Sequence, residues 1–131
     1  MKKNNKTLLD TSAIIALIKQ EPGYQIVDEI LAISAMSTVN FAELITTLAK
    51  DDINTEDIDA ITTNLVPEIA PFSHEIATLT GKLYIQTRHK GLSLGDRACL
   101  ATAIQLGLPV YTADKAWGEL NIPKLKVHLI R

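Results

Sequence analysis

The amino-acid sequence predicts an α/β domain with a largely parallel central sheet. Short apolar runs alternate with segments of helical periodicity along the chain, and this order is typical of parallel sheets covered by helices. No internal repeat, low-complexity segment or linker interrupts the alternation. The 131 residues fit one domain, for which we expect the boundaries 1–131, and that length suffices to bury a substantial core.

Composition excludes several classes of protein. Hydrophobic residues make up 47% and charged residues 21% of the chain, which is ordinary for a globular protein. No stretch approaches the roughly 18 to 20 apolar residues of a membrane span. The basic start at 1–6 leads into an apolar pair that Asp10 interrupts at once, so it does not resemble a signal peptide. We therefore expect a cytoplasmic protein without membrane association.

The cysteine count and the net charge limit which covalent chemistry and which mode of nucleic-acid binding the protein can use. Cys99 is the single cysteine, so no intrachain disulfide can form, and its apolar neighbours favour a buried residue over a nucleophile. The net charge of −2 argues against a protein that holds nucleic acid by bulk charge alone. If this protein handles nucleic acid, a metal ion or a local basic rim must offset the phosphates.

Apolar spacing and capping residues predict the individual elements. Five segments are typical of strands, the third being either a short strand or an extended link: 7–9, 33–37, 68–70, 109–112 and 126–130. Six segments are typical of helices: 13–19, 24–31, 39–50, 55–65, 74–90 and 93–106. The first helix is expected to be capped by Thr11 and Ser12, and the segment 113–120 to form a short helix or turn.

Three acidic residues occupy places where parallel α/β sheets bind ligands. Asp10 closes the first strand, and Asp114 follows the fourth. Asp96 stands at the start of the apolar helix at 93–106. Because the carboxyl ends of parallel strands share one edge, we expect these carboxylates to be neighbours. Each also has a purely structural interpretation as a helix-capping residue, Asp96 through a capping box with Ser93.

Glu43 is less well supported by the pattern. On the helix at 39–50 it lies opposite the apolar stripe, on the same side as Asn40. The stripe consists of Phe41, Leu44, Ile45 and Leu48. Periodicity therefore favours a Glu43 side chain that faces solvent.

A group of carboxylates at one sheet edge indicates a magnesium site. Neighbouring carboxylates repel one another unless a positive charge lies among them. Mg²⁺ is a hard cation that takes oxygen ligands and keeps several of its waters. Bound Mg²⁺ can activate a water and stabilise charge on a phosphate oxygen, and that chemistry is phosphodiester hydrolysis.

Four blocks of the sequence resemble the motifs of PIN-domain ribonucleases, and most of all those of the VapC toxins of bacterial toxin–antitoxin pairs. The blocks are LLDTSA at 8–13, STVNFAEL at 37–44, GLSLGDRA at 91–98 and YTADKAW at 111–117. They come in the order of the family and span nearly the whole chain. Any single block is a weak signal, whereas four in order are a strong one.

The resemblance implies roles for individual residues. Asp10, Glu43, Asp96 and Asp114 match the catalytic acidic quartet of the family. Asp10 and Asp96 would be the main metal ligands, and Asp114 would complete the metal site through a water. Glu43 would hold a metal or position the attacking water.

Two small hydroxyl residues, Ser12 and Thr112, would brace these carboxylates. For the whole chain the resemblance implies a single PIN-like nuclease domain, built as a three-layer α/β/α sandwich. Its activity would be that of a Mg²⁺-dependent endoribonuclease, with Mn²⁺ as a substitute, acting on RNA as a toxin. It also implies a VapB-like antitoxin and a homodimer. The apolar stretches 13–18 and 24–31 would form either a partner groove or ordinary core.

Two other functions compete with this hypothesis. A phosphoacceptor receiver domain also gathers Asp residues around Mg²⁺, with Asp10, Thr112 and Lys115 in superficially similar places, but its central acceptor Asp has no counterpart here. A degenerate member of the nuclease fold would only bind RNA or a partner. Arg97 and Lys115 are either phosphate contacts or ordinary surface charges.

Overall fold

The computed structural model describes residues 6–66 and 68–131. The basic start of the chain lies outside the described residues, except for Lys6. Within these two ranges no helix combines the length and the apolar character needed to cross a lipid bilayer.

A parallel sheet forms the centre of the molecule. In the described part of the chain it has five strands: β1 (Thr7–Leu9), β2 (Ser34–Ser37), β3 (Ile69–Ala70), β4 (Val110–Thr112) and β5 (Val127–Leu129). Their order is β3-β2-β1-β4-β5, and each neighbouring pair is parallel. The predicted α/β class is confirmed, and the third segment is a two-residue strand rather than a link.

Helices cover both faces of the sheet, as the α/β/α sandwich requires. Over the described ranges they are α1 to α7 in chain order: Thr11–Lys19, Tyr24–Ile30, Thr38–Lys50, Thr55–Leu65, His74–Lys82, Tyr84–Thr87 and Leu94–Leu106. Shorter 3-10 helices lie at Leu31–Ile33, Arg88–Lys90 and Lys115–Glu119.

Two hydrophobic cores lie on opposite faces of the sheet. Leu8 packs on the face covered by α5 and α7, together with Leu100. The next residue, Leu9, packs on the other face with Ile14 of α1 and Leu44 of α3. Successive side chains of a strand point to opposite faces, so β1 contributes to both cores. All five side chains are fully buried, and each stabilises the fold by about 1.5–3 kcal/mol.

Two predicted helices differ from the observed ones. The first begins at Thr11, and its N-cap is Asp10 rather than Thr11 or Ser12. The segment predicted as one helix after Ser73 is divided into α5, α6 and a 3-10 helix. Thr80 and Thr87 each donate a hydroxyl hydrogen bond to a carbonyl four residues earlier, an arrangement that often bends helices.

The connections around β1 determine where a ligand can bind. β1 is the central strand, with β2 on one side and β4 on the other. The chain moves from β1 to β2 and β3, and then crosses to β4 on the opposite side. Loops at the carboxyl ends of β1 and β4 therefore diverge, which opens a crevice at that edge of the sheet.

Gly23→Ala is expected to destabilise the protein by more than about 2 kcal/mol. Gly23 has φ +94°, which L side chains rarely adopt, and an added Cβ would clash with the carbonyl oxygen of Ile130. Urea unfolding measures the change. The matched control is Gly81→Ala in α5, where an added Cβ meets nothing within 4 Å. It should raise stability by up to about 1 kcal/mol, and equal effects of both substitutions would contradict this account.

Candidate functional site

The four predicted carboxylates line one cavity at the carboxyl edge of the sheet. Asp10, Glu43, Asp96 and Asp114 all border this cavity, whose volume is about 650 Å³. Asp10 directly follows β1, and Asp114 lies two residues after β4. Glu43 comes from α3 and Asp96 from the first turn of α7. The structure thus brings together residues from all four sequence blocks.

Asp10 lies at the centre of a hydrogen-bond network. Its Oδ1 accepts from the backbone N–H of Ala13 at 2.9 Å and from the Ser12 hydroxyl at 2.7 Å. Its Oδ2 accepts from the Thr112 hydroxyl at 2.6 Å. The side chain therefore caps α1 and is also attached to the end of β4. Asp10 is only 5% exposed.

Burial dominates the electrostatics of Asp10. It raises the pKa of this carboxyl from 3.8 to about 6, because desolvation disfavours the charged form. The hydrogen bonds from Thr112, Ser12 and Ala13 lower the pKa but do not offset burial, and the charge of Asp96 raises it further. Ionised Asp10 at neutral pH is therefore costly unless a positive charge lies nearby.

The hydroxyls of Ser12 and Thr112 connect Asp10 to the Asp114 loop. Thr112 Oγ1 accepts from the backbone N–H of Asp114 at 3.0 Å, and Ser12 Oγ accepts from that of Ala113 at 2.9 Å. The two hydroxyl oxygens lie 3.3 Å apart. These contacts supply the bracing that the family resemblance implied for both residues.

Asp96 and Asp114 are caps as well as cavity residues. Asp96 Oδ2 accepts from the backbone N–H of Ser93 at 3.0 Å, and Ser93 Oγ accepts from that of Asp96 at 3.1 Å, so the predicted capping box is present. Asp114 Oδ1 accepts from the N–H of Ala116 at 3.0 Å. Among the described residues each cap occupies one carboxylate oxygen and leaves the other without a donor. The structural and functional interpretations are therefore compatible.

Glu43 faces the cavity and not open solvent, so the expectation from periodicity is wrong. Its Oε1 accepts from the Asn40 side-chain amide at 2.8 Å and from the Thr11 hydroxyl at 3.0 Å. Its carboxylate lies against Gly95, where an added Cβ would clash with Oε2. The pattern failed because the polar face of α3 is covered by α7, and helical spacing alone does not show which elements pack together.

Sequence reasoning gave no role in the site to Asn40 or Gly95 and interpreted Thr11 only as a helix cap, although all three lie within the quoted blocks. Asn40 and Glu43 are three positions apart on one helix, so a contact between them was detectable. The contacts of Thr11 and Gly95 with Glu43 cross between α1, α3 and α7, and no local pattern indicates them.

The cavity is acidic and its carboxylates are uncompensated. Among the described residues no ion pair involves any of the four. Burial raises the pKa of Asp96, and the charges of Glu43 and Asp114 add to that increase, while bonds to Ser93 lower it. In the described part of the chain, no group of three or more Asp, Glu, His or Cys side chains is arranged so that it could hold a metal ion. The chemistry of the cavity still fits Mg²⁺, because this hard cation is usually bound through one or two carboxylates and keeps several waters.

Two basic residues each follow a site carboxylate in sequence, and their surroundings differ from one another. Arg97 Nη1 donates to the carbonyl of Thr80 at 2.9 Å, and the guanidinium lies 5.5 Å from the centre of the Tyr84 ring. Arg97 therefore braces α7 against α5 and α6. Lys115 is exposed near the cavity-lining Asp114 and stays a candidate for phosphate contact.

Comparison with known proteins defines the family. A profile of the PIN domain matches residues 7–122. Because this match spans most of the chain, the chain belongs to the PIN-domain family. The resemblance inferred from the four blocks is confirmed, and the receiver-domain alternative is wrong. No curated protein sequence matches the chain.

The similar solved structures include components of toxin–antitoxin complexes. DNA-bound VapBC from Salmonella typhimurium is 20% identical with a TM-score of 0.75, covering 96% of this chain and 98% of that one. DNA-bound VapBC2 from Rickettsia felis is 25% identical with a TM-score of 0.71, covering 94% and 97%. VapC20 from Mycobacterium tuberculosis, described as a toxin that cleaves the sarcin–ricin loop, is 13% identical with a TM-score of 0.73, covering 92% and 99%.

Asp10→Asn is expected to stabilise the metal-free protein at pH 7.5. In the wild type the folded carboxyl binds its proton more tightly than the unfolded one, so stability is highest below pH 3.8 and falls as the pH rises to about 6. This loss is on the order of 2–3 kcal/mol, since a tenfold change in proton affinity corresponds to about 1.4 kcal/mol. Asparagine keeps the cap and removes the buried charge.

Urea unfolding in EDTA at pH 7.5 and pH 4.5 measures this difference. The advantage of the Asp10→Asn variant should shrink at the lower pH. Asp59→Asn, on the exposed side of α4, is the matched control and should show no such dependence. An advantage of the same size at both pH values would contradict the assignment to the buried charge.

Proposed function

We propose that this protein is a metal-dependent endoribonuclease that hydrolyses RNA phosphodiester bonds and acts as the toxin of a toxin–antitoxin pair. The observation that carries the proposal is the single cavity lined by four carboxylates without an ion-pair partner among the described residues. Membership of the PIN-domain family supports nuclease chemistry. The likeness to a toxin described as cleaving the sarcin–ricin loop supports RNA as the substrate class.

In this proposal the metal is Mg²⁺, with Mn²⁺ as a substitute. Asp10 and Asp96 are its main ligands, and Asp114 completes the metal site through a water. The bound ion would supply charge stabilisation at the phosphate and a more acidic water. The protein holds Asp10 through Ser12 and Thr112, so that this ligand needs no reorganisation when the ion binds.

Glu43 is the fourth catalytic residue in the proposal. Its carboxylate lies on the wall of the cavity formed by α3 and α7, and Oε1 is anchored by two donors. Among the described residues, Oε2 has no hydrogen-bond donor. Glu43 is therefore able to accept a hydrogen bond from the attacking water and orient it, or to hold the metal.

A basic rim would help an acidic protein bind RNA. Lys50, at the end of α3, lines the same cavity as the carboxylates, and Lys115 is exposed near Asp114. In the proposal these two lysines contact phosphates that flank the scissile bond, because a lysine ammonium can reach backbone phosphates without reading sequence.

The proposed protein partner is a VapB-like antitoxin. The solved structures that share this fold include VapBC complexes, which supports such a partner. An apolar cavity of about 350 Å³ lies between α1 and α4, and it is the groove proposed to receive the antitoxin. Its lining includes Leu17 and Ile18, whereas Ala13, Ile14 and Ala16 of the same predicted stretch are buried core. A homodimer and a cytoplasmic location complete the proposal.

Asp96→Asn is expected to lower RNA cleavage by at least about 100-fold, the size typical for loss of a group that stabilises charge in the transition state. Asparagine keeps one oxygen for the capping box, so the fold should be retained. The assay is the cleavage of total RNA by purified protein in Mg²⁺ and, separately, in Mn²⁺. Excess EDTA should abolish the wild-type activity.

Asp59→Asn on exposed α4 serves as the matched control and should cleave at the wild-type rate. Sequencing of the cleaved ends would identify the RNA target. Cleavage that persists in EDTA, or an Asp96→Asn variant as active as the wild type, would refute the proposed mechanism.

A further inference from the structure

We propose that Asn40 is a positioning residue that holds the Glu43 carboxylate at the wall of the cavity, together with Thr11 and Gly95. The inference rests on the proposed nuclease function. It accounts for the inward orientation of Glu43, which helical periodicity does not explain.

The Asn40 side chain connects two helices at the cavity wall. Its Nδ2 donates to Glu43 Oε1 at 2.8 Å on α3 and to the carbonyl oxygen of Gly95 at 3.2 Å on α7. Asn40 is only 2% exposed. Its own backbone N–H donates to Ser37 Oγ at 3.0 Å, which is the N-cap of α3. Asn40 is therefore held at both the backbone and the side chain.

The orientation of the Asn40 amide follows from its partners. Both Glu43 Oε1 and the Gly95 carbonyl oxygen are acceptors, so only the amide nitrogen can face them. The amide oxygen, Oδ1, is consequently buried, and it has no hydrogen-bond partner among the described residues. A buried oxygen without a partner costs stability. Stability alone therefore does not explain an asparagine at this position. Its role is to direct two N–H groups at the Glu43 carboxylate and the Gly95 carbonyl oxygen.

Thr11 and Gly95 complete the cradle around Glu43. The Thr11 hydroxyl lies 3.0 Å from Glu43 Oε1 and 3.2 Å from the Asn40 carbonyl oxygen, and its single hydrogen is shared between these two acceptors. Gly95 leaves the space that Oε2 occupies, since an added Cβ would clash with that atom. The donors on Oε1 and the open space at position 95 together determine where Oε2 lies, against α7 at Gly95.

A double-mutant cycle tests whether Asn40 acts through Glu43. Single-turnover cleavage of RNA in saturating Mn²⁺ is measured for the wild type, Asn40→Ala, Glu43→Ala and the double variant. Asn40→Ala should lower the cleavage rate by about 10- to 100-fold, the loss expected for a misplaced catalytic group. In the Glu43→Ala background the same substitution should change the rate by less than about twofold.

Asn54→Ala is the matched control for this cycle. Asn54 is exposed and caps α4, so its removal costs stability but should leave the cleavage rate unchanged. Equal fractional losses from Asn40→Ala in both backgrounds would overturn the proposal, because Asn40 would then act independently of Glu43. A wild-type rate for Asn40→Ala would overturn it too.

Gly95→Ala provides a second test if Asn40→Ala does not fold. Alanine favours a helix over glycine, and this gain opposes the loss of the hydrogen bonds that the displaced Glu43 carboxylate gives up, so the variant should stay folded. The displaced carboxylate should lower the cleavage rate at least tenfold, the order of loss expected for a misplaced group. A stable Gly95→Ala variant with the wild-type rate would overturn the proposal.

Failure of the proposed function has a separate signature. If the wild type cleaves no RNA in Mg²⁺ or Mn²⁺, the nuclease assignment fails, and the contact is then tested by urea midpoints of the same four proteins. The change in urea midpoint of the double variant is compared with the sum of the changes in the two single variants. A difference between the two supports direct coupling of Asn40 to Glu43. Additive shifts would overturn the positioning role.

Discussion

The hydrogen bond from Thr112 to Asp10 joins the ends of the two central strands, and the geometry of the site depends on it. Asp10 terminates β1 and caps α1, while Thr112 ends β4 and accepts from the backbone of Asp114. One buried carboxylate therefore sets the direction of α1 and the position of the Asp114 loop. Since the charge of Asp10 is desolvated, these donors reduce the cost of burying it but do not remove that cost.

In this protein the hydrogen bonds that cap helices also position the carboxylates of the site. Asp10, Asp96 and Asp114 each accept a backbone N–H bond at the start of a helix, which restricts the side chain. For Asp96 and Asp114 one oxygen is used in this way and the other is available to the cavity. A carboxylate that caps its own helix is held in place by that helix, and the caps thus restrict Asp96 and Asp114 at the cavity.

Much of the fold was predictable because local physics determines it. The strand at Thr7–Leu9, the capping box at Ser93 and the end of α7 at Gly107 all follow from apolar spacing and capping chemistry. The positions of three of the four cavity carboxylates were also predictable, because the ends of parallel strands share one edge of the sheet. The division of the helix after Ser73 was not predictable, since the apolar spacing of Ile76, Leu79, Leu83 and Tyr84 continues across the break.

The sequence by itself determined the α/β class, the strand positions and the placement of Asp10, Asp96 and Asp114 at one edge of the sheet. These features depend on chain periodicity and on residues next to strand or helix ends. Only the tertiary structure decided where Glu43 points. Its surroundings come from α1 and α7, and the space it occupies exists because residue 95 has no side chain. Contacts between distant segments carry no local pattern, so the fold has to form before that carboxylate has a defined position.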